Sequence, residues 1–126
     1  MVSDKAKAAS YKDLLVWQKG IELVKAVYKI TQCFPSDERF GIISQMRRAA
    51  VSVPSNLAEG QARKSTAEFV QFISHSEGSL AELDTQLIIA VELEYCPKNE
   101  ANQAFAQITE LRRMLNSLRR RLISKT

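Results

Sequence analysis

Residues 66–96 contain no proline and a single glycine, and their apolar side chains recur every three or four positions. Phe69, Ile73, Ser76, Leu80, Leu83, Leu87 and Ala90 fall on one face of a helix, and Val70, Ile88, Ile89, Val91 and Leu93 widen that face. A helix of about 30 residues is roughly 45 Å long. An apolar face that broad implies burial on more than one side. With four glycines and three prolines in 126 residues, the chain has little punctuation for a many-stranded sheet. The covering elements are therefore expected to be further long helices, within one domain.

Three more apolar periodicities supply them. Asp13 is read as the cap of a first helix over residues 14–33, with Leu14, Trp17, Ile21, Val24 and Tyr28 on its inner face. Phe34-Pro35 ends it, because the residue before proline is pushed away from helical angles. Ser36 and Asp37 restart the chain, and Phe40, Ile43, Met46 or Arg47, Ala50, Val53 and Leu57 descend a second helix that stops at Gly60. Ser65 followed by Glu68 gives the capping-box pattern for the third helix, which Pro97 closes. Asn99 is expected to cap a fourth, where Phe105, Ile108, Leu111, Leu115, Leu118 and Leu122 keep a heptad-like seam. Four such helices on short links predict an all-α fold, an antiparallel up-down-up-down four-helix bundle. Residues 1–12 are read as a flexible N-terminal tail and 13–126 as a single domain. Because the first and third helices run the same way, Cys33 and Cys96 fall at one end, and without a CxxC pattern they are expected to be free thiols.

The second helix carries a proline, which removes a backbone hydrogen bond at a cost of roughly 3 kcal/mol unless neighbours compensate. Pro54 predicts a kink that opens carbonyls near Ala50, with Ser52, Ser55 or Asn56 placed to satisfy them. Ser52, Pro54, Asn56, Glu59 and Gly60, together with Gly78, Ser79 and Glu82 of the third helix, form a candidate structural motif. In it Ser52, Asn56 and Glu59 are expected to face Ser79 and Glu82 and set the register of the two helices. Gly78, at a cost of up to about 1 kcal/mol against alanine, is expected to mark a close helix approach.

The formal net charge of +4 is unevenly spread. Residues 66–95 include no Lys or Arg but contain Glu68, Glu77, Glu82, Asp84, Glu92 and Glu94, whereas the last helix holds Arg112, Arg113, Arg119, Arg120 and Arg121. Arg112 and Arg119 share one heptad position and Arg113 and Arg120 the next, so the four are expected to line one exposed strip. With Arg47, Arg48, Arg63 and Lys64 they make up the candidate nucleic-acid-binding set. A phosphate backbone would release counterions on such a strip. The same strip also suits a subunit contact with the acidic helix of a neighbour, and both readings stand. No aromatic ladder accompanies these arginines, which points to backbone contacts with little sequence preference.

Catalysis finds no support. The one histidine, His75, has no glutamate three residues before it, and there is no phosphate-binding glycine loop or nucleophile motif. The expectation is a non-catalytic protein without metal or cofactor. No apolar leader or membrane span is legible, so a cytoplasmic location with no membrane partner is expected.

Three patches are similar to a known family: Tyr11-Lys12-Asp13-Leu14 through Trp17-Gln18; residues 45–60, Gln-Met-Arg-Arg-Ala-Ala-Val-Ser-Val-Pro-Ser-Asn-Leu-Ala-Glu-Gly; and Gly78-Ser79-Leu80-Ala81-Glu82-Leu83. Arg63 and Ser65 also fit, and the match spans about residues 11–95. In these patches the chain resembles the small four-helix-bundle proteins of the 23S ribosomal RNA intervening-sequence family, first noticed as reading frames within bacterial large-subunit ribosomal RNA genes. The resemblance implies an antiparallel bundle assembled as a ring-shaped homopentamer. A similar fold and assembly belongs to the accessory protein of diversity-generating retroelements, which partners a reverse transcriptase and binds nucleic acid. The partners implied are thus further copies of the chain, RNA or DNA, and a reverse transcriptase or other protein. Ser76 stands where the family more usually has alanine, which puts a hydroxyl at an expected contact position. The expected function is a non-catalytic oligomeric binding or scaffold protein that associates with nucleic acid or a nucleoprotein complex. The alternative is a purely structural assembly module with its basic strip in subunit contacts.

Overall fold

A computed structural model describes residues 10–124. A one-turn 3-10 helix, Tyr11–Asp13, leads into α1, Leu15–Thr31; a second such turn, Ser36–Glu38, precedes α2, Ile42–Gln61; then follow α3, Thr66–Glu92, and α4, Lys98–Ser124. Each helix packs chiefly on two neighbours, α1 on α2, α2 on α3, α3 on α4 and α4 back on α1, so the four close a square. Arg47 meets Thr31 while Pro54 meets Gly20, and Ser52 meets Ser79 while Gly60 meets Phe69. Partner numbers fall as residue numbers rise at both seams, which is the antiparallel arrangement. Residues 1–9 of the expected tail lie outside the described residues; the turn at Tyr11 packs edge-on against Trp17, ring centres 5.4 Å apart.

The inner faces of α3 and α4 follow the apolar spacing. Phe69, Ile73, Ser76, Leu80, Leu83, Leu87 and Ala90 are all buried on α3, as are Ile108, Leu111, Leu115, Leu118 and Leu122 on α4. On α1 the buried stripe is Val16, Gly20, Leu23, Val27 and Thr31. The expected stripe is displaced sideways: Ile21 and Tyr28 are exposed, and Trp17 and Val24 are half-buried. The reason is Gly20, whose missing Cβ would stand 3.3 Å from Pro54 Cβ. Turning Gly20 inward lets α1 pass close to the proline of α2, and the larger residues beside it are carried to the flank.

Other expectations move at the helix ends. Ser10, not Asp13, caps the first turn, its hydroxyl accepting from the Lys12 N–H at 3.1 Å, and Leu14 precedes α1 with no side-chain cap. Phe40 is 90% exposed, because Gly41 breaks the register immediately before α2 begins at Ile42. The α2 helix runs unbroken through Pro54, and Gly60 lies inside it. Asn99 sits within α4, which starts at Lys98. Ser65 caps α3 as expected, accepting from the Glu68 N–H at 3.1 Å, with its hydroxyl 3.0 Å from the Glu68 carboxylate. That helix ends at Glu92, four residues before the expected limit of 96, and Glu94 then adopts φ 63°. The Tyr95 N–H donates to the Ala90 carbonyl at 2.9 Å and the Glu94 N–H to Val91 at 3.0 Å, which together form a Schellman cap with glutamate at the left-handed position.

Candidate interaction surface

The α2–α3 seam holds the polar groups that residues 45–60 bring to it. Ser52 Oγ lies 2.7 Å from the Ala49 carbonyl and 2.5 Å from Ser79 Oγ, so one hydroxyl pair bridges the helices. Asn56 donates from its amide to the Ser52 carbonyl at 2.8 Å, within its own helix. These groups serve carbonyls on either side of Ala50, whose donor the proline ring removes. Ser76, fully buried, donates to the Val53 carbonyl at 2.9 Å and adds a second α2–α3 tie. Glu59 and Glu82 take no part in this pairing. Glu59 is exposed and reaches Arg63 at 3.4 Å, and Glu82 accepts from Gln86 at 3.3 Å. Gly60 is the close approach, 2.7 Å from any added Cβ to Phe72 Cβ, while Gly78, expected to be one, is exposed with nothing within 4 Å of that position.

The eight candidate basic residues divide into those already engaged and those left to solvent. Arg119 is only partly exposed and forks onto Glu77 of α3, with Nη1 2.9 Å from Oε2, Nη2 on Oε1, and Nη2 also 3.2 Å from Ser74 Oγ. This bidentate hydrogen bond raises the Arg119 pKa above its ordinary value. Arg47 is likewise taken: its Nε donates to Thr31 at 2.9 Å and its guanidinium lies 4.4 Å from the centre of the Tyr28 ring. It therefore secures the end of α1 against the start of α2. Arg63 pairs with Glu59 and stacks 4.9 Å over Phe72. Arg48, Lys64, Arg112, Arg113 and Arg120 are exposed and form no ion pair with a described residue. The four-arginine strip of α4 is thus reduced to three side chains, with Arg119 working inside the bundle.

A groove of about 1000 Å3 runs along the outer face of α2, and it brings together residues that the sequence pattern assigns to separate roles. Tyr28, Arg39, Phe40, Val51 and Glu82 line it, with Ala49, Ser52, Ser55 and Ser79 between them. The apolar spacing alone puts Phe40 and Tyr28 on inner faces, whereas both are exposed. Gly41, directly after Phe40, was the available sign that the register stops there.

At one end of the bundle the two links meet. Phe34 and Tyr95 pack with ring centres 5.6 Å apart, and the Tyr95 hydroxyl donates to Glu38 at 2.7 Å, a bond that raises the phenol's pKa. Cys33 is exposed and Cys96 buried, both free; burial pushes the Cys96 thiol up, with Glu100 and Cys33 adding to it. His75 is exposed and packs edge-on against Phe72. Among the described residues no group of three or more His, Cys, Asp or Glu could hold a metal ion, and no helix is long and apolar enough to cross a membrane.

Comparison with known proteins agrees with this architecture. The family model described as 23S rRNA-intervening sequence protein matches residues 12–117. A crystal structure of a protein of unknown function from the S23 ribosomal protein family of Bacteroides thetaiotaomicron superposes with a TM-score of 0.75 at 20% identity, covering 83% of this chain and 98% of that one. No curated protein matches.

Proposed function

We propose, from the premise that this chain belongs to the family of 23S rRNA-intervening sequence proteins, that it is a non-catalytic, self-associating module that binds the phosphate backbone of RNA or DNA through the outward side of α4. The observation that supports this reading best is the state of the Arg112, Arg113 and Arg120 side chains, which are exposed and make no ion pair with a described residue. A guanidinium without an internal acceptor keeps its planar set of donors for phosphate. Arg113 and Arg120 are one heptad apart, roughly 10 Å along a helix, a spacing that can follow a backbone. Three charges on one copy bind weakly, and a ring of copies would multiply them.

Ile88, Ile89 and Leu93, 48%, 44% and 53% exposed near the end of α3, favour self-association and also support the second reading, an assembly module whose arginines meet a neighbouring subunit. One experiment separates the two. Structured RNA and duplex DNA are titrated across a salt series with wild type and with an Arg112→Glu/Arg113→Glu/Arg120→Glu variant, and light scattering gives the mass of both. The expected result is wild-type affinity that falls steeply with salt, and a variant weakened by about tenfold or more at unchanged mass. Equal binding by the variant would overturn the proposal. Absence of wild-type binding, with a variant of lower mass, would establish the assembly reading instead.

A further inference from the structure

The groove along α2 is a second surface, on a different face from the exposed arginines of α4. Its floor is made of small side chains, Ala49, Ser52, Ser55 and Ser79, where α2 and α3 meet. Ser52 and Ser79 satisfy one another at 2.5 Å, so little on that floor calls for a polar ligand. Small residues on a helical surface let another helix lie close against it. Above the floor stand Phe40, Val51 and Tyr28, 90%, 40% and 41% exposed, aromatic and branched groups that gain most from being covered. Arg39 and Arg48 rim the groove, exposed and without an ion pair to a described residue, and Glu82 is the one carboxylate of the lining. From Ile43 to Ser55 the lining of α2 extends roughly 18 Å, three to four helical turns.

We infer that this groove docks an acidic amphipathic helix supplied by a different protein. The excess of guanidinium groups at the rim selects acidic flanks, and the exposed rings select an apolar stripe. Nucleic acid suits the groove less well, because the small floor offers no platform for bases and the Tyr28 ring already carries the Arg47 guanidinium, 4.4 Å from its centre. The chain's own helices are poor donors. The exposed side of α1 bears Lys25 and Lys29, and that of α4 bears Arg112, Arg113 and Arg120. The acidic helix α3 exposes Gln71, Ser74, His75, Gly78, Ala81 and Thr85 along its middle, with no large apolar group until Ile88.

The probe is a fluorescent synthetic helical peptide of about four turns, with leucines on one stripe and glutamates on both flanks. Its control carries lysine at every glutamate position. Wild type is expected to bind the glutamate peptide, more weakly as salt rises, and to bind the lysine peptide about tenfold or more less tightly. Phe40→Ala and Arg48→Glu, both at exposed positions, are each expected to weaken binding by about tenfold with unchanged melting. The Arg112→Glu/Arg113→Glu/Arg120→Glu variant is expected to bind the peptide as wild type does, so failure at α4 and failure here are read separately. Equal binding of the two peptides, or wild-type affinity in both groove variants, would overturn the inference. So would a fall in light-scattering mass on Phe40→Ala, which would give the groove to a second copy. A single-stranded oligonucleotide that binds wild type and is lost on Phe40→Ala would overturn it in favour of nucleic acid.

Discussion

A methyl group added at Gly60 would lie 2.7 Å from Phe72 Cβ and 2.9 Å from Phe69 Cδ1, whereas one added at Gly78 would meet nothing within 4 Å. Both glycines are helical, so alanine would gain helix propensity at either position. At Gly60 that gain is outweighed, because Phe72 Cβ is fixed to the backbone of α3 and can yield only if the helix moves. Gly60→Ala is expected to lower stability by about 1–3 kcal/mol, as overpacking does. Gly78→Ala is expected to raise it by about 0.5–1 kcal/mol. Denaturant titration of the two variants against wild type measures both, and a Gly78→Ala protein less stable than wild type would mean that this side of α3 is covered in solution. The distinction was not legible in the sequence. A glycine is visible there, but what faces it is decided by the rotation of its helix. Arg119 is a similar case: its heptad position matches that of Arg112, yet its guanidinium is held by Glu77 and Ser74.

At the scale of the element, spacing was a sound guide where the buried face consists of large apolar residues. That holds for the main stripe of α3 and for α4 from Ile108 onward. Phe105, which the spacing also puts on the α4 seam, is only half-buried while Ala101 and Ala104 are buried, and Ile88, Ile89 and Leu93, expected to widen the α3 face, are exposed. It failed on α1, where Gly20 and Thr31 occupy the buried face and stronger apolar residues flank it. A hydrophobic count follows the larger side chains and therefore turns the helix the wrong way. The end of α3 carries a testable strain. Glu94 holds φ 63° at a cap position that glycine takes without steric cost. Glu94→Gly is expected to stabilise the protein by about 1 kcal/mol, since the left-handed conformation costs other residues roughly 1–2 kcal/mol. A thermal midpoint that stays level or drops would show that the Glu94 side chain has a favourable role of its own.

For the whole molecule, the end where both links meet couples the two halves of the chain. The Tyr95 hydroxyl donates to Glu38 across 57 positions of sequence, beside the Phe34 ring. Because that bond raises the folded-state pKa of Tyr95 above its ordinary value of 10.0, its contribution is complete below that pH. The contribution is lost as pH rises through the raised value. Wild type is therefore expected to lose stability above about pH 10 more steeply than Tyr95→Phe, which has no phenol to ionise. Parallel pH profiles of melting temperature for the two proteins would refute this coupling.

Sequence alone determined the elements and their order: four helices, the short links between them, the Ser65 cap, the main inner stripe of α3 and that of α4 from Ile108 onward. Those features depend on local propensity and on a period of 3.6, which a chain carries wherever it is placed. Tertiary structure decided which arginines remain available, which glycine is a contact, that Ser76 serves Val53, and that Phe40 joins a groove instead of the core. Each of these depends on the relative rotation of two helices and on who lies opposite, a relation between residues distant in sequence that no single stretch encodes.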